Sequence, residues 1–181
     1  KSVGIGIALL LIGAIAGVLV SGTNAGATPT ENKLITEYYA AEVAAGMSPS
    51  EYVQALHAGV SIATLVDLRT KEAYAAGHLA GAISLPVDQM TNTQIIQAFS
   101  QLPNDKPVVT YCYSSYCMLS RKLGNFLAEN GLFVKHLTAG GLEINRDYSG
   151  DIVKGVEPGT VEITNPNTGC PPNSVSGWGG C

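Results

Sequence analysis

Tyr111 to Cys117 reads YCYSSYC and places two of the chain's four cysteines five positions apart in one polar, aromatic run. Three chemistries fit two thiols at that spacing: half of a metal site, a disulfide, or a nucleophile with a neighbouring thiol. A structural zinc site takes four ligands, usually from two closely spaced pairs. The C-x4-C spacing has no second pair to match it, and His57, His78 and His136 are scattered along the chain. No metal is expected, and no cofactor. A Cys112–Cys117 disulfide is within reach of a loop running into a helix, but so short a ring contributes little stability. The nucleophile reading explains more of the pattern. Cys112 closes an apolar strand and a helix starts a few residues later. The amides of Tyr113, Ser114, Ser115, Tyr116 and Cys117 are then expected to wrap around its sulfur, and the helix N-terminus adds positive potential. Such surroundings lower a thiol pKa and stabilise a thiolate or a bound anion. Ser114 and Ser115 are small enough to let the loop curl, or serve simply as caps. A phosphatase would want an Arg at the end of the loop to clamp phosphate, and Cys117 stands near that place.

The elements that must position this loop follow from the pattern around it. Residues 31–45 put Leu34, Tyr38, Ala41 and Ala45 on one helical face, and Gly46 stops the run. A second helix starts at Ser48 with Pro49 in its first turn and ends at Gly59. Strands then alternate with helices: TLVDL (64–68) before KEAYAAG, AISLP before TNTQIIQAFSQLP, KPVVTYC before MLSRKLGNFLAENG, and LFVKHLT before GGLEINRDY. That alternation predicts an α/β fold with a mostly parallel sheet. Such sheets carry their reactive loops at the carboxyl ends of strands, where the heptad sits.

Three blocks, LVDLRTKEAYAAGHLAGAISLP, KPVVTYCYSSYC and HLTAGGLE, occur in this order, and together they resemble a single rhodanese domain over residues 47–147. The resemblance implies a three-layer α/β fold and movement of sulfane sulfur: the loop cysteine takes sulfur from a donor, becomes a persulfide, and passes it to a thiol acceptor. It implies that Cys112 is the persulfide-forming cysteine and that Tyr113, Ser114, Ser115, Tyr116 and Cys117 form the substrate-binding loop. Asp67 and Arg69 become the supporting pair beneath the site, while Glu72 and His78 hold the fold. Cys117, within reach of Cys112, is the expected resolving thiol. The loop itself carries no charge, and Arg121 and Lys122, one helical turn later, are expected to face solvent. A neutral loop offsets a dianion such as thiosulfate only with backbone dipoles, so polysulfide or a persulfide suits it better as donor.

The two ends of the chain are different in kind. Residues 3–20 form an uncharged apolar run; as a helix it spans about 27 Å, close to the thickness of a bilayer core. A transmembrane anchor at 1–20 is expected, with an uncleaved signal segment as the rival, since Ala25-Gly26-Ala27 resembles a cleavage site. Lys1 on one side of the run and no cation until Lys33 on the other place the soluble part on the periplasmic or extracellular side. Gly13 and Gly17 form a G-x-x-x-G pair that lets another membrane subunit's helix approach. Residues 21–46 read as tether and helix, 47–148 as the rhodanese-like domain, and 149–181 as a Gly/Pro-rich extension with one possible strand at 160–164. Cys170 and Cys181 bracket that extension and are expected to form a disulfide in an oxidising compartment. A net charge of −4 without a basic cluster argues against nucleic acid as a partner. The expected partners are the membrane, a sulfane-sulfur donor and a thiol acceptor. The alternative is a non-catalytic accessory subunit of a membrane complex that uses the fold as a scaffold.

Overall fold

The computed structural model describes residues 28–159. The apolar run 3–20 with Gly13 and Gly17, the strand expected at 160–164, and Cys170 and Cys181 all lie outside the described residues. Among the described residues no helix is long and apolar enough to cross a membrane.

The chain divides between Ala40 and Ala41 into two compact units. The described part of the first is the start of helix α1, Pro29–Ala45. This helix begins two residues earlier than its apolar spacing suggests, because Thr28 caps it. Glu31 N donates to Thr28 Oγ1 at 3.3 Å, and Thr28 N donates back to the Glu31 carboxylate at 2.6 Å. No residue of α1 is buried, and Leu34, Ile35, Tyr38, Tyr39 and Val43 are exposed.

In the second unit, β1 (Gly46–Met47), β2 (Thr64–Asp67), β4 (Ile83–Ser84), β5 (Val108–Tyr111) and β6 (Lys135–Leu137) form one sheet. Its order is β1-β6-β5-β2-β4 and every pairing is parallel. Parallel strands need crossovers, and the helices supply them. These are α2 (Pro49–His57), α3 (Lys71–Ala76), α4 (Asn92–Ser100) and α5 (Leu119–Glu129), while α6 (Gly141–Asp147) follows the last strand of the sheet. Side chains alternate across each strand, so the two faces build separate cores. Leu65, Val109 and Tyr111 pack with Tyr52 and Val53 of α2, Tyr74 of α3 and Ile144 of α6. Val66 and Cys112 pack with Ile95 and Phe99 of α4 and with Leu123 and Leu127 of α5. Cys112 is therefore a core residue of one face as well as the first residue beyond the central strand.

Two features depart from the sequence reading. Gly46 does not only end α1; with Met47 it forms the edge strand β1, paired with His136 and Leu137. The domain also continues past Tyr148. A 3-10 turn at Ser149–Asp151 leads into β7 (Ile152–Val153), which pairs antiparallel with β3 (His78–Leu79). Further on, Gly81 N donates to Pro158 O at 2.8 Å and His78 Nε2 contacts Glu157 O at 2.9 Å. His57 and Asp151 form a hydrogen-bonded pair as well. Two-residue strands show no periodicity to read. They form here because the buried backbone of β3 needs partners.

Candidate functional site

Strand β5 delivers Cys112 to the carboxyl edge of the sheet, between β2 and β6. On the Tyr111 face of the sheet, opposite the one that Cys112 packs on, lies a sealed floor against Gly141. Asp67 is fully buried and its carboxylate accepts Arg69 Nη2 at 2.6 Å and Arg69 Nε at 3.0 Å. Arg69 Nη2 also donates to Gly77 O at 2.8 Å, and the guanidinium lies 5.6 Å from the centre of the Tyr111 ring. Burial works against the Arg69 charge, but the Asp67 carboxylate outweighs it and holds the group more basic than a free guanidinium. Burial likewise pushes the Tyr111 phenol well above its ordinary range.

The loop is stitched to the start of α6. Gly141 N donates to Cys112 O at 2.8 Å and Leu142 N to Tyr113 O at 2.9 Å. This approach needs the Gly-Gly pair. A β-carbon on Gly140 would collide with the Ser114 backbone, and one on Gly141 with the Arg69 guanidinium. Gly140 has an ordinary extended backbone, so space rather than conformation requires glycine there. Thr70 N donates to the Tyr113 hydroxyl at 3.2 Å, tying the other flank to the start of α3.

The loop amides are shared out differently from the cradle around Cys112 that the sequence suggests. Ser115 N donates to the Glu143 carboxylate at 3.1 Å and Cys117 N to Ser114 O at 3.0 Å. The amides of Leu119 and Tyr113 favour the thiolate of Cys117, and the amide of Ser120 favours that of Cys112. Cys112 is 1% exposed, and its thiol reaches the Cys117 carbonyl at 3.5 Å and Ser120 Oγ at 4.0 Å. Both thiols are free. Burial pushes the Cys112 thiol up. Burial also pushes the half-buried Cys117 upward, but the hydrogen bond from Cys112, the two amides and the Arg121 charge prevail and hold it below its ordinary value.

Asp67, Arg69, Cys112 and the loop 113–117 thus come together at one strand end. Tyr116 points away from the protein surface at 89% exposed. Two charged residues join the site that the sequence reading left out of it. Arg121, expected to face solvent, is half-buried and donates from Nη1 to Ser115 O at 3.2 Å, whereas Lys122 is exposed. The place of Arg121 in the first turn of α5, directly after the loop, was the available signal. Glu143 accepts from Gly140 N at 3.0 Å, Ser115 N at 3.1 Å and Ser115 Oγ at 2.8 Å. Burial raises its pKa, but these donors together outweigh it and keep the carboxyl below the usual range. A glutamate at the third position of a helix is a capping signal.

The family model for the rhodanese-like domain matches residues 48–145. The BH2092 protein of Bacillus halodurans superimposes with a TM-score of 0.56 at 23% identity, covering 69% of this chain and 88% of that one. A full-length protein from Lactobacillus plantarum superimposes with a TM-score of 0.55 at 14% identity, covering 68% and 98%. At these identities the likeness speaks for the fold alone. An HTH-type transcriptional regulator of Mycobacterium tuberculosis is 35% identical over 80 residues, 44% of this chain and 33% of that protein. The chain therefore spans about a third of the length of that curated relative.

Proposed function

The chain belongs to the rhodanese-like family, and from that premise we propose that it is a membrane-anchored sulfurtransferase working through a persulfide on Cys112. The observation that carries this reading is the pair of free thiols at the end of the central strand, where the Cys112 thiol reaches the Cys117 carbonyl at 3.5 Å. The Cys112 thiolate attacks the outer sulfur of a persulfide R–S–SH. The new S–S bond makes Cys112–S–SH, the old one breaks, and R–S⁻ leaves. An acceptor thiolate then attacks the same outer sulfur and carries it away, so Cys112 is restored with no net oxidation. With no acceptor at hand, Cys117 attacks the inner sulfur instead, releasing HS⁻ and leaving a disulfide that an external thiol must reduce.

The test is sulfur transfer from several donors to cyanide or a thiol. Cys112→Ser should abolish turnover, and Cys117→Ser should leave a longer-lived persulfide on Cys112. Equal activity of Cys112→Ser and wild type would refute the enzyme reading. The second reading, a scaffold subunit without catalysis, is favoured by the near-complete burial of Cys112.

The anchor is supported by the uncharged run 3–20, and the position of the domain outside the cytoplasmic membrane by the charges that flank it. Carbonate washing that releases the full-length protein would remove the anchor. A Cys170–Cys181 disulfide fits that compartment; peptide mapping without reductant that finds either thiol free would count against it.

A further inference from the structure

We propose that Glu143 sets the donor specificity of this site, excluding dianionic thiosulfate and admitting persulfides, by placing a fixed carboxylate on the donors of the substrate loop. The proposal rests on the sulfurtransferase reading for its substrate class, but its core is a statement about anion binding. A loop that accepts an anionic donor must offer it free N–H groups. Here the middle of the loop is already occupied by an anion belonging to the chain. The Glu143 carboxylate takes both the amide and the hydroxyl of Ser115, and its third bond, to Gly140 N, locks it to the start of α6. Arg121 holds the carbonyl of the same serine, so Ser115 is clamped between a carboxylate on its N–H side and a guanidinium on its C=O side.

That clamp has two consequences. The amide and hydroxyl of Ser115, which would otherwise face an incoming dianion, are spent on Glu143. Arg121 is engaged on the carbonyl side of Ser115, so on the N–H side the Glu143 charge repels thiosulfate, an effect that grows with the charge of the donor. A persulfide whose outer sulfur carries at most one charge meets half of that repulsion. Because Glu143 touches the loop and not the reacting sulfur, it is a positioning residue. It acts through Ser115.

The experiment uses the full chain and two donors, thiosulfate and cysteine persulfide, with cyanide as acceptor. Glu143→Gln keeps the side-chain shape and one acceptor oxygen but removes the charge. It should raise the ratio of kcat/KM for thiosulfate over cysteine persulfide about tenfold, mainly through a lower KM for thiosulfate. A merely structural role would lower kcat/KM for both donors together, and that result would overturn the proposal. Thiosulfate binding is measured in parallel by calorimetry on Cys112→Ser protein, with and without Glu143→Gln, where no turnover is needed. Affinity about tenfold higher in the double variant supports the role of Glu143 even if no donor is ever turned over, in which case only the sulfurtransferase reading falls. Unchanged affinity overturns the proposal. Glu143→Asp retains the charge and should bind thiosulfate as weakly as wild type; binding as tight as that of the Gln variant would show that charge is not the cause.

Discussion

Against Tyr111 and Gly141 the pair Asp67–Arg69 is sealed in the core, whereas the loop Tyr113–Cys117 is held at the surface by Glu143 and Arg121. Both regions use one carboxylate and one guanidinium, but in the floor the two charges bond each other and in the loop each bonds the backbone. The floor pair is closed: Arg69 spends its donors on Asp67 and Gly77, and its face on Tyr111. The loop pair is open, since either partner can change its hold on Ser115 without leaving the other stranded in the core. A buried ion pair costs most when one member is removed, while a half-exposed one adjusts. The floor therefore fixes where the strand ends, and the loop decides what meets the thiols.

The sharpest way to break this contrast is to open the floor. Arg69→Met leaves the fully buried Asp67 carboxylate without its cation and should destabilise the domain by about 3–5 kcal/mol in chemical denaturation. A loss below about 1 kcal/mol, the range of an exposed pair, would mean that water reaches the floor and that the two regions are alike. Next in size is Gly140→Ala, which strikes the seam between them. A β-carbon there would lie 2.7 Å from the Ser114 carbonyl carbon, and backbone cannot yield as a side-chain tip does. The expected cost is about 1–3 kcal/mol of stability, as for other overpacked sites. Displacing the loop by about 1 Å should also lower sulfur transfer about a hundredfold. Full activity in this variant would show that the loop does not depend on its seat against α6.

The same contrast explains what the sequence disclosed. The floor was legible only through the resemblance to a rhodanese domain, since a D-x-R after an apolar strand does not say by itself that Arg69 folds back to bond Asp67. The strand–loop–helix order around Cys112 was legible from the residues themselves, since period and punctuation are local signals. The hold on the loop was not. Glu143 is 28 residues from Ser115, and its capping position reveals a helix start but not which loop lies against it. Arg121 stood in plain view in the first turn of α5, yet a cation after an uncharged loop reads first as a solvent-facing residue. The continuation through β7 was hidden because two strand residues inside a Gly/Pro-rich stretch carry no pattern.

The smallest expected effect is also the one that most sharpens the comparison, because it concerns the boundary between core and loop within a single pair of thiols. Cys112 faces the core and its pKa is raised by burial; Cys117 faces the loop, and amides, Cys112 and Arg121 lower its pKa. These shifts have opposite signs in their effect on stability. Cys112, raised in the fold, contributes stability that is complete below the unfolded thiol pKa and is lost as pH rises through the folded value. Cys117, lowered in the fold, contributes stability above the unfolded pKa that is lost as pH falls through its folded value. The Cys117 contribution grows as pH rises to the unfolded thiol value and the Cys112 contribution falls away above it, so stability against pH should pass through a shallow maximum near that value. Labelling separates them. Because the thiolate is the reacting form, iodoacetamide should modify Cys117 first, with a midpoint below the ordinary thiol value of about 8.5, and Cys112 later, above it. In urea both should titrate together, since the fold creates the difference. If Cys112 were labelled first in the folded protein, the loop donors would have to surround the buried sulfur, and the division between a closed floor and an open loop would be drawn in the wrong place.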